Sequence, residues 1–319
     1  MSHIFDALQR SEAERTGDPA DPLSLETELL KIAESDAVAQ VDELSAKATS
    51  ASAPAFPSIT AASPQNPFEQ FESLPVSLVP DGKLVVVTEK DSLAAEKFRF
   101  LAVRLRQLQQ SRPVKKILIT STIPGEGKSM VAANLACTLA RRRQQKTLLL
   151  DGDLRRPMLA RQLGLGRIPG ISETLQGTTD LISSIYRLDA LGLWILPAGS
   201  APQNPLELMQ SGKLTPLMEQ LSSWFDWIVI DSPPVLPLAD TSVWGRMADG
   251  ILLVTRQGKT EKQLLKRGLE AIESGKLLGA LVNGSTNSVH SDYYYHYGPA
   301  AAARQNITPQ STVKEPDQE

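Results

Sequence analysis

Short runs of Val, Ile and Leu alternate along the chain with stretches whose apolar residues recur every three or four positions, and the alternation begins near Lys83. The runs are Leu84–Thr88, Ile117–Thr120, Thr147–Asp151, Leu193–Leu196, Trp227–Asp231, Ile251–Thr255 and Leu277–Val282. Each is almost continuously apolar, as strands are when both faces of their sheet are covered. Between them, Leu93, Phe98, Leu101, Leu105 and Leu108 share one helical face, and so do Val131, Leu135 and Leu139. Strand, helix, strand in repetition predicts an α/β fold: a mostly parallel sheet with helices on both faces. After Asn287 the pattern stops.

Residues 1–80 read differently. From Ser45 to Pro80 the chain is rich in Ala, Ser and Pro, and six prolines there would interrupt any helix. Ahead of that stretch, Ser2 can cap a short helix with Ile4, Phe5 and Leu8 on one face, and Leu23–Val41 is a weaker, acidic candidate. The expected division is therefore a mostly disordered acidic arm over 1–80, a folded domain over 81–290 and a flexible tail over 291–319. Charge follows the same division. The arm carries 4 basic and 13 acidic side chains, residues 81–290 carry 27 and 19, and the tail carries 2 and 4. A basic middle suits anionic ligands. No apolar run reaches the roughly 18–20 residues needed to cross a bilayer, and the first residues do not form a signal peptide. A single cysteine, Cys137, excludes an internal disulfide framework and a cysteine-built zinc site. A cytoplasmic location is the expectation.

The strongest chemical signal runs from Ile117 to Ser129, Ile-Leu-Ile-Thr-Ser-Thr-Ile-Pro-Gly-Glu-Gly-Lys-Ser, and opens the helix Met130–Arg142. Gly125 and Gly127 let successive main-chain N–H groups face one point, an anion nest at a helix N-terminus. Lys128 adds a mobile charge for the β- and γ-phosphates, and Ser129 offers a hydroxyl to a hydrated Mg²⁺. Strand, glycine-rich turn and helix in this order make a P-loop. Its candidate ATP-binding residues are Thr122, Pro124, Gly125, Glu126, Gly127, Lys128, Ser129 and Met130. Thr122 stands where the strict pattern has glycine.

Metal-bound triphosphate also needs carboxylates. Trp227-Ile-Val-Ile-Asp231 followed by Ser-Pro-Pro is an apolar strand ending in an acid, the Walker B form. Leu148-Leu-Leu-Asp-Gly-Asp-Leu-Arg-Arg-Pro157 places Asp151 and Asp153 at another strand's C-terminal edge, where open α/β sheets bind ligands. Three converging carboxylates repel unless a cation lies among them. Ser129, Asp153 and Asp231 are thus the candidate metal ligands. Arg155 and Arg156 follow the acidic pair and could reach a phosphate. Arg141–Arg143 close the P-loop helix and suit its negative end.

Taken together these motifs resemble the bacterial tyrosine kinases of capsule and exopolysaccharide systems (BY-kinases). Asp151–Pro157 looks like that family's second Walker A element and Phe225–Val235 its Walker B. Gly170–Gly177, Leu196–Gly199 with Asn204, Pro205 and Glu207, and Asp249–Val254 also look familial. The resemblance covers roughly Lys83 to Tyr297. It implies a P-loop NTPase fold and MgATP-dependent phosphorylation of tyrosines in the enzyme's own tail, between subunits of a ring, in control of polysaccharide synthesis or export. The tail agrees: of five tyrosines, Tyr293, Tyr294, Tyr295 and Tyr297 fall within five positions, with no apolar neighbours to make them a core segment. A phenol with a pKa near 10 needs a base. Asp151 or Asp153 can serve, with Lys128 and Arg155 as the other candidate catalytic groups; Asp151 is taken as the base. The family's ring motif, E-x-x-R-x-x-R, is matched by Glu96 and Arg99, but its third position is Ala102, with Arg104 and Arg106 nearby. Implied partners are a second copy of the chain, a membrane chain-length regulator that would recruit it to the inner face of the plasma membrane, and a tyrosine phosphatase, with no nucleic acid.

Two other functions share some of these features. A partitioning ATPase of the ParA/MinD class has the same fold, but carries a lysine five residues before the P-loop lysine, where this chain has Ile123. A non-catalytic nucleotide-binding regulator would keep the same binding residues.

Overall fold

Six of the seven apolar runs become strands of one sheet in the computed structural model, which describes residues 66–78, 84–142 and 144–285. In chain order the elements are β1 (Glu72–Ser73), α1 (Val85–Thr88), α2 (Leu93–Ser111), β2 (Lys116–Ser121), α3 (Lys128–Ala140), β3 (Thr147–Asp151), α4 (Leu159–Gln162), α5 (Ile171–Gln176), β4 (Tyr186–Leu188) and β5 (Leu193–Leu196). There follow α6 (Pro205–Met209), α7 (Leu214–Trp224), β6 (Trp227–Asp231), α8 (Asp240–Met247), β7 (Gly250–Arg256), α9 (Lys262–Glu270) and β8 (Leu277–Asn283). The strand order is β1-β4-β5-β3-β6-β2-β7-β8. Every pairing is parallel except β4 with β5.

Alternate residues of the central strands feed two cores, because successive side chains on a strand point to opposite faces. Ile117, Ile119, Leu149 and Val229 pack with Phe98, Leu105, Leu135 and Leu139 from α2 and α3. On the other face, Leu118, Leu150, Ile228 and Ile230 pack with Leu221, Phe225 and Trp244. The long helix α2 starts where Ser92 accepts a hydrogen bond from Ala95 N at 3.1 Å, and it ends at an extended Arg112 ahead of Pro113. Two of the motifs that looked familial form one clasp. Glu173 accepts from Gly170 N (2.8 Å) and Ser200 N (2.9 Å), while Ile171 N and Ser172 N bond Pro197 O and Ala198 O. Burial raises the Glu173 pKa, but these N–H bonds outweigh it and hold the carboxyl below its ordinary value.

Three expectations are corrected. The run Leu84–Thr88 is not a strand; Val85–Thr88 is a single helical turn, since a short apolar run has no period that separates strand from helix. β4 was not expected: it is only three residues long, with an exposed Arg187 at its centre. Most consequentially, residues 66–78 belong to the fold rather than to an arm. A 3-10 turn, Pro67–Glu69, is capped by Asn66, and β1 pairs with β4 at the sheet edge. Phe71, 5% exposed, closes the second core, and Phe68 lies 5.1 Å from the Trp194 ring and 5.4 Å from Phe225. The compact unit accordingly begins at Pro64. The proposed helices at Ser2 and Leu23–Val41 fall outside the described residues.

Removing a buried phenyl ring typically costs about 3–5 kcal/mol. Phe71→Ala is therefore expected to lower the urea midpoint substantially with an unchanged slope. A midpoint within error of wild type would show that residues 66–78 are dispensable to the core.

Candidate functional site

The tips of β2, β3 and β6 lie side by side, and each brings part of the sequence-predicted site. β2 leads into the P-loop, where Gly125 and Gly127 take φ of 80° and 96°, values that side-chain-bearing residues rarely adopt. Space matters as much as φ at Gly127, where a Cβ would meet Asn283 Nδ2 at 2.1 Å. The curl ends at Lys128, the first residue of α3. Thr122, in the place of the strict glycine, is fully buried, and its hydroxyl has no hydrogen-bond partner. Its side chain is set against Gly268 of α9, where a Cβ would lie 3.1 Å from it.

β3 and β6 pair in register, so Asp151 stands directly opposite Asp231. The turn after β3 folds tightly over β6. Gly152 N donates to Asp231 O at 2.8 Å and Gly152 O accepts from Trp244 Nε1 at 2.9 Å, and a Cβ on Gly152 would lie 2.7 Å from the Trp244 ring. Asp153 thereby reaches Lys128, whose Nζ is 2.9 Å from Asp153 Oδ2 and 3.8 Å from Asp231 Oδ1. Burial works against the charged Lys128, yet Asp231 and Asp153 outweigh it and raise its pKa.

The two register partners differ in what satisfies them. Asp151 accepts from Asp153 N (3.3 Å), Met158 N (3.2 Å) and Leu159 N (3.0 Å), so it also anchors the start of α4. Asp231 is fully buried, and neither of its carboxylate oxygens has a hydrogen-bond partner of normal geometry. Burial pushes Asp151 up to about 8, with the Asp231 charge adding to it. Burial pushes Asp231 up to about 6, against the pull of Lys128 and the Ser129 hydroxyl. Two buried acids this close titrate as a pair. A fully buried carboxylate answered by an ammonium at 3.8 Å, and by no hydrogen bond of normal geometry, is a group that a further cation can satisfy. Ser129, 8% exposed, completes an all-oxygen donor set suited to Mg²⁺, which takes one or two carboxylates and fills its shell with water and phosphate oxygens. Among the described residues no three acidic or imidazole side chains form a metal cage by themselves.

Other expected residues turn elsewhere. Arg155 makes a two-point contact with Asp240, Nε–Oδ2 2.6 Å and Nη2–Oδ1 3.1 Å, so its guanidinium is directed at α8. Arg156 is exposed, and its N–H donates to Asp153 Oδ1 at 3.1 Å. The Glu126 carboxylate bonds its own loop at Ile123 N (2.9 Å) and the Thr260 hydroxyl. Glu96 and Arg99 pair within α2 at 2.5 Å, and Arg99 also donates to Lys90 O. Ala102 is fully buried, leaving no room there for an arginine. Of the nearby arginines, Arg106 is tied to Leu139 O at 3.1 Å, whereas Arg104 lies over the exposed ring of Phe100. Arg141 donates to Val86 O and braces α1. Tyr293, Tyr294, Tyr295 and Tyr297 lie outside the described residues.

Several residues that brace the P-loop were not read from the sequence. Asn283 donates to Glu126 O (2.9 Å), Lys259 to Pro124 O (3.3 Å) and Arg256 to Gly125 O (3.4 Å). Arg256 ends β7, Lys259 follows it and Asn283 ends β8; none belongs to a phosphate motif, so only the sheet order brings them here. Beside Asn283 opens a largely apolar groove of about 670 Å³, walled by Leu84, Phe98, Met130, Val131 and Leu281.

Known proteins match this chain in sequence and fold. The nucleotide-binding domain family described as CobQ/CobB/MinD/ParA matches residues 117–289. Tyrosine-protein kinase YwqD of Bacillus subtilis (strain 168) is 35% identical over 215 residues, 67% of this chain and 90% of its own length. The chain belongs to the bacterial tyrosine-kinase family. Putative tyrosine-protein kinase CapB of Staphylococcus aureus is likewise 35% identical, over 67% of this chain and 95% of its own. Among solved structures, the chimerical protein CapA2B2 superposes with a TM-score of 0.61 at 31% identity, covering 67% of this chain and 93% of that one. The kinase domain of Escherichia coli tyrosine kinase ETK gives 0.60 at 27%, covering 66% and 83%. The P-loop fold and the kinase-family membership expected from the motifs are thus both found. Among the described residues no helix is long and apolar enough to cross a membrane.

The acid pair carries a pH signature. An unfolded aspartate titrates near about 3.9, and both folded values lie above it. The folded state therefore binds protons more tightly, and this contribution is full below about pH 4 and is lost as pH rises through about 6 and 8. The melting temperature without divalent cation is expected to fall by several degrees between pH 5 and pH 8. Asp231→Asn should flatten that slope, and an equally steep slope in the variant would place the titration elsewhere.

Proposed function

We propose that this kinase-family chain is an ATP-dependent protein tyrosine autokinase, transferring the γ-phosphoryl group of MgATP to Tyr293, Tyr294, Tyr295 and Tyr297 of a neighbouring copy. Through that modification it would regulate exopolysaccharide or capsule synthesis, polymerisation or export, at the inner membrane face beside a membrane chain-length regulator, with a tyrosine phosphatase resetting it. One observation carries the reading: Lys128, Ser129, Asp153 and the unsatisfied Asp231 converge at three adjacent strand tips.

The roles follow from position. Main-chain N–H groups from Gly125 to Ser129 would hold the phosphates, and the groove beside Asn283 and Met130 would take the nucleobase. Ser129, Asp153 and Asp231 would hold the magnesium, which when bound supplies charge neutralisation on the phosphates. Lys128 is then free to leave its carboxylates for the β- and γ-oxygens. The acceptor phenol gives its proton to a carboxylate as its oxygen bonds the γ-phosphorus and the bond to the ADP oxygen breaks. Asp151 is taken as the proton acceptor, in the ionised form that the main-chain N–H groups of the following turn and Lys128 favour, and Asp153, 2.9 Å from Lys128, stands on the metal side. Arg155 acts through its two-point contact with Asp240, holding the 151–156 turn. Oligomer contacts would use α2, where Phe100 and Val103 are 61% and 47% exposed beside the Glu96–Arg99 pair.

Purified protein given MgATP is expected to gain phosphotyrosine by mass spectrometry, with Lys128→Met gaining none. Replacing the four clustered tyrosines with Phe should abolish labelling at unchanged nucleotide affinity. Label persisting in Lys128→Met, or absent from wild type, would favour contaminating chemistry or a non-catalytic regulator. Asp151→Asn should lower kcat by about 10²–10⁴-fold, the usual worth of a positioned base. A less stable Asp151→Asn protein with kcat unchanged would move the base to Asp153.

A further inference from the structure

The end of β7, the loop after it and the helix α9 carry a row of exposed cations that phosphate binding alone does not use: Arg256, Lys259, Lys262, Lys266 and Arg267. Lys262 and Lys266 are four apart on a nine-residue helix, hence on one face. The only ion pair they make among the described residues is a long one, Lys266–Glu270 at 3.9 Å. Arg256 and Lys259 begin the row at the P-loop, touching it through single carbonyl contacts of 3.4 and 3.3 Å. The opposite side of α9 is spoken for. Leu265 and Leu269 pack into the second core, and Gly268 is buried against Thr122. The helix therefore shows solvent a cationic face with no apolar stripe available for insertion into a lipid surface.

The chain's own tail leaves the fold next to this row. β8 pairs with β7 so that Asn283 is the register partner of Arg256, and a Cβ on Gly284 would lie 3.9 Å from the Arg256 side chain. Tyr293 is eight residues beyond Ser285, a span of at most about 29 Å. The row along α9 is about 14 Å long, so the whole tyrosine cluster is within reach. Residues 291–319 carry only two basic side chains, Arg304 and Lys314, against four acidic ones. Each phosphotyrosine adds about −1.5 to −2 charges and three acceptor oxygens.

We propose that the phosphorylated Tyr293–Tyr297 segment docks on the cationic row Arg256–Lys259–Lys262–Lys266 of its own chain. This rests on the autokinase reading for the source of the phosphate. Docking would hold the product tail away from neighbouring active sites. It would also draw Arg256 and Lys259 from the P-loop carbonyls, coupling the modified tail to the nucleotide loop.

A synthetic probe separates this inference from the kinase reading, because it needs no catalysis. A labelled peptide of residues 286–300, with all four tyrosines phosphorylated or none, is titrated by fluorescence anisotropy against the full-length chain carrying Phe at those four positions. The phosphopeptide is expected to bind at least about tenfold more tightly, and Lys262→Glu/Lys266→Glu is expected to abolish the preference while MgATP affinity stays as in wild type. Equal binding of the two peptides, or an undiminished preference in the charge-reversed protein, would overturn the proposal. So would binding of phosphatidylserine vesicles, lost in that variant, with no phosphopeptide binding, since the row would then face lipid.

Discussion

Register between β3 and β6 creates a charge problem that the rest of the site answers. It sets Asp151 opposite Asp231 inside a sheet covered on both faces, where a carboxylate is costly to ionise without a partner. Asp151 is met by main-chain N–H groups of the following turn, and Lys128 is held over Asp153 and Asp231. Asp231 alone has no hydrogen bond of normal geometry to either oxygen and faces the Lys128 ammonium at 3.8 Å. Such an arrangement stores affinity for a cation at the place where a triphosphate would deliver one. Burial raises the proton affinity of the pair, and on the proposed reading the same burial would favour a metal ion at Asp231.

Holding that geometry requires close approach of main chain to main chain. Gly152 lets the turn after β3 sit on Asp231 and under Trp244, while α8 fixes the next turn through Asp240 and Arg155. The P-loop is supported from the opposite side, by β7, β8 and the loop joining β7 to α9. The nucleotide loop thus lies between an acidic half, built from β3 and β6, and a basic half, built from β7 and α9. The exit of β8, where the tail begins, is connected to the P-loop by the Asn283 hydrogen bond, and the adjoining end of β7 and its loop by two more.

What the sequence made legible follows from how each element is buried. Strands covered on both faces must be apolar throughout, so β2, β3, β5, β6 and β7 announced themselves, while β8, a half-buried edge strand, was legible from its run of apolar residues alone. β1 has two residues, both exposed, and β4 alternates around Arg187; neither has a run to read. Phe68 and Phe71 were lost among the prolines of residues 45–80, although they fill a real aromatic cluster with Trp194 and Phe225. Site residues within contiguous motifs were recognisable because a local turn dictates their spacing. Asn283, Lys259 and Asp240 reach the site only through sheet order and helix placement, which no local spacing encodes. Ala102 shows the reverse: the expected arginine is missing because that position faces the core.

If Asp231 holds magnesium beside the triphosphate, calorimetric titration of a non-hydrolysable ATP analogue with and without Mg²⁺, in wild type and in Asp231→Asn, will show it. Magnesium is expected to tighten wild-type binding by at least about tenfold, about 1.4 kcal/mol, and the variant to lose most of this gain while still binding the analogue. Wild-type affinity indifferent to magnesium, or an equal magnesium effect in Asp231→Asn, would contradict it.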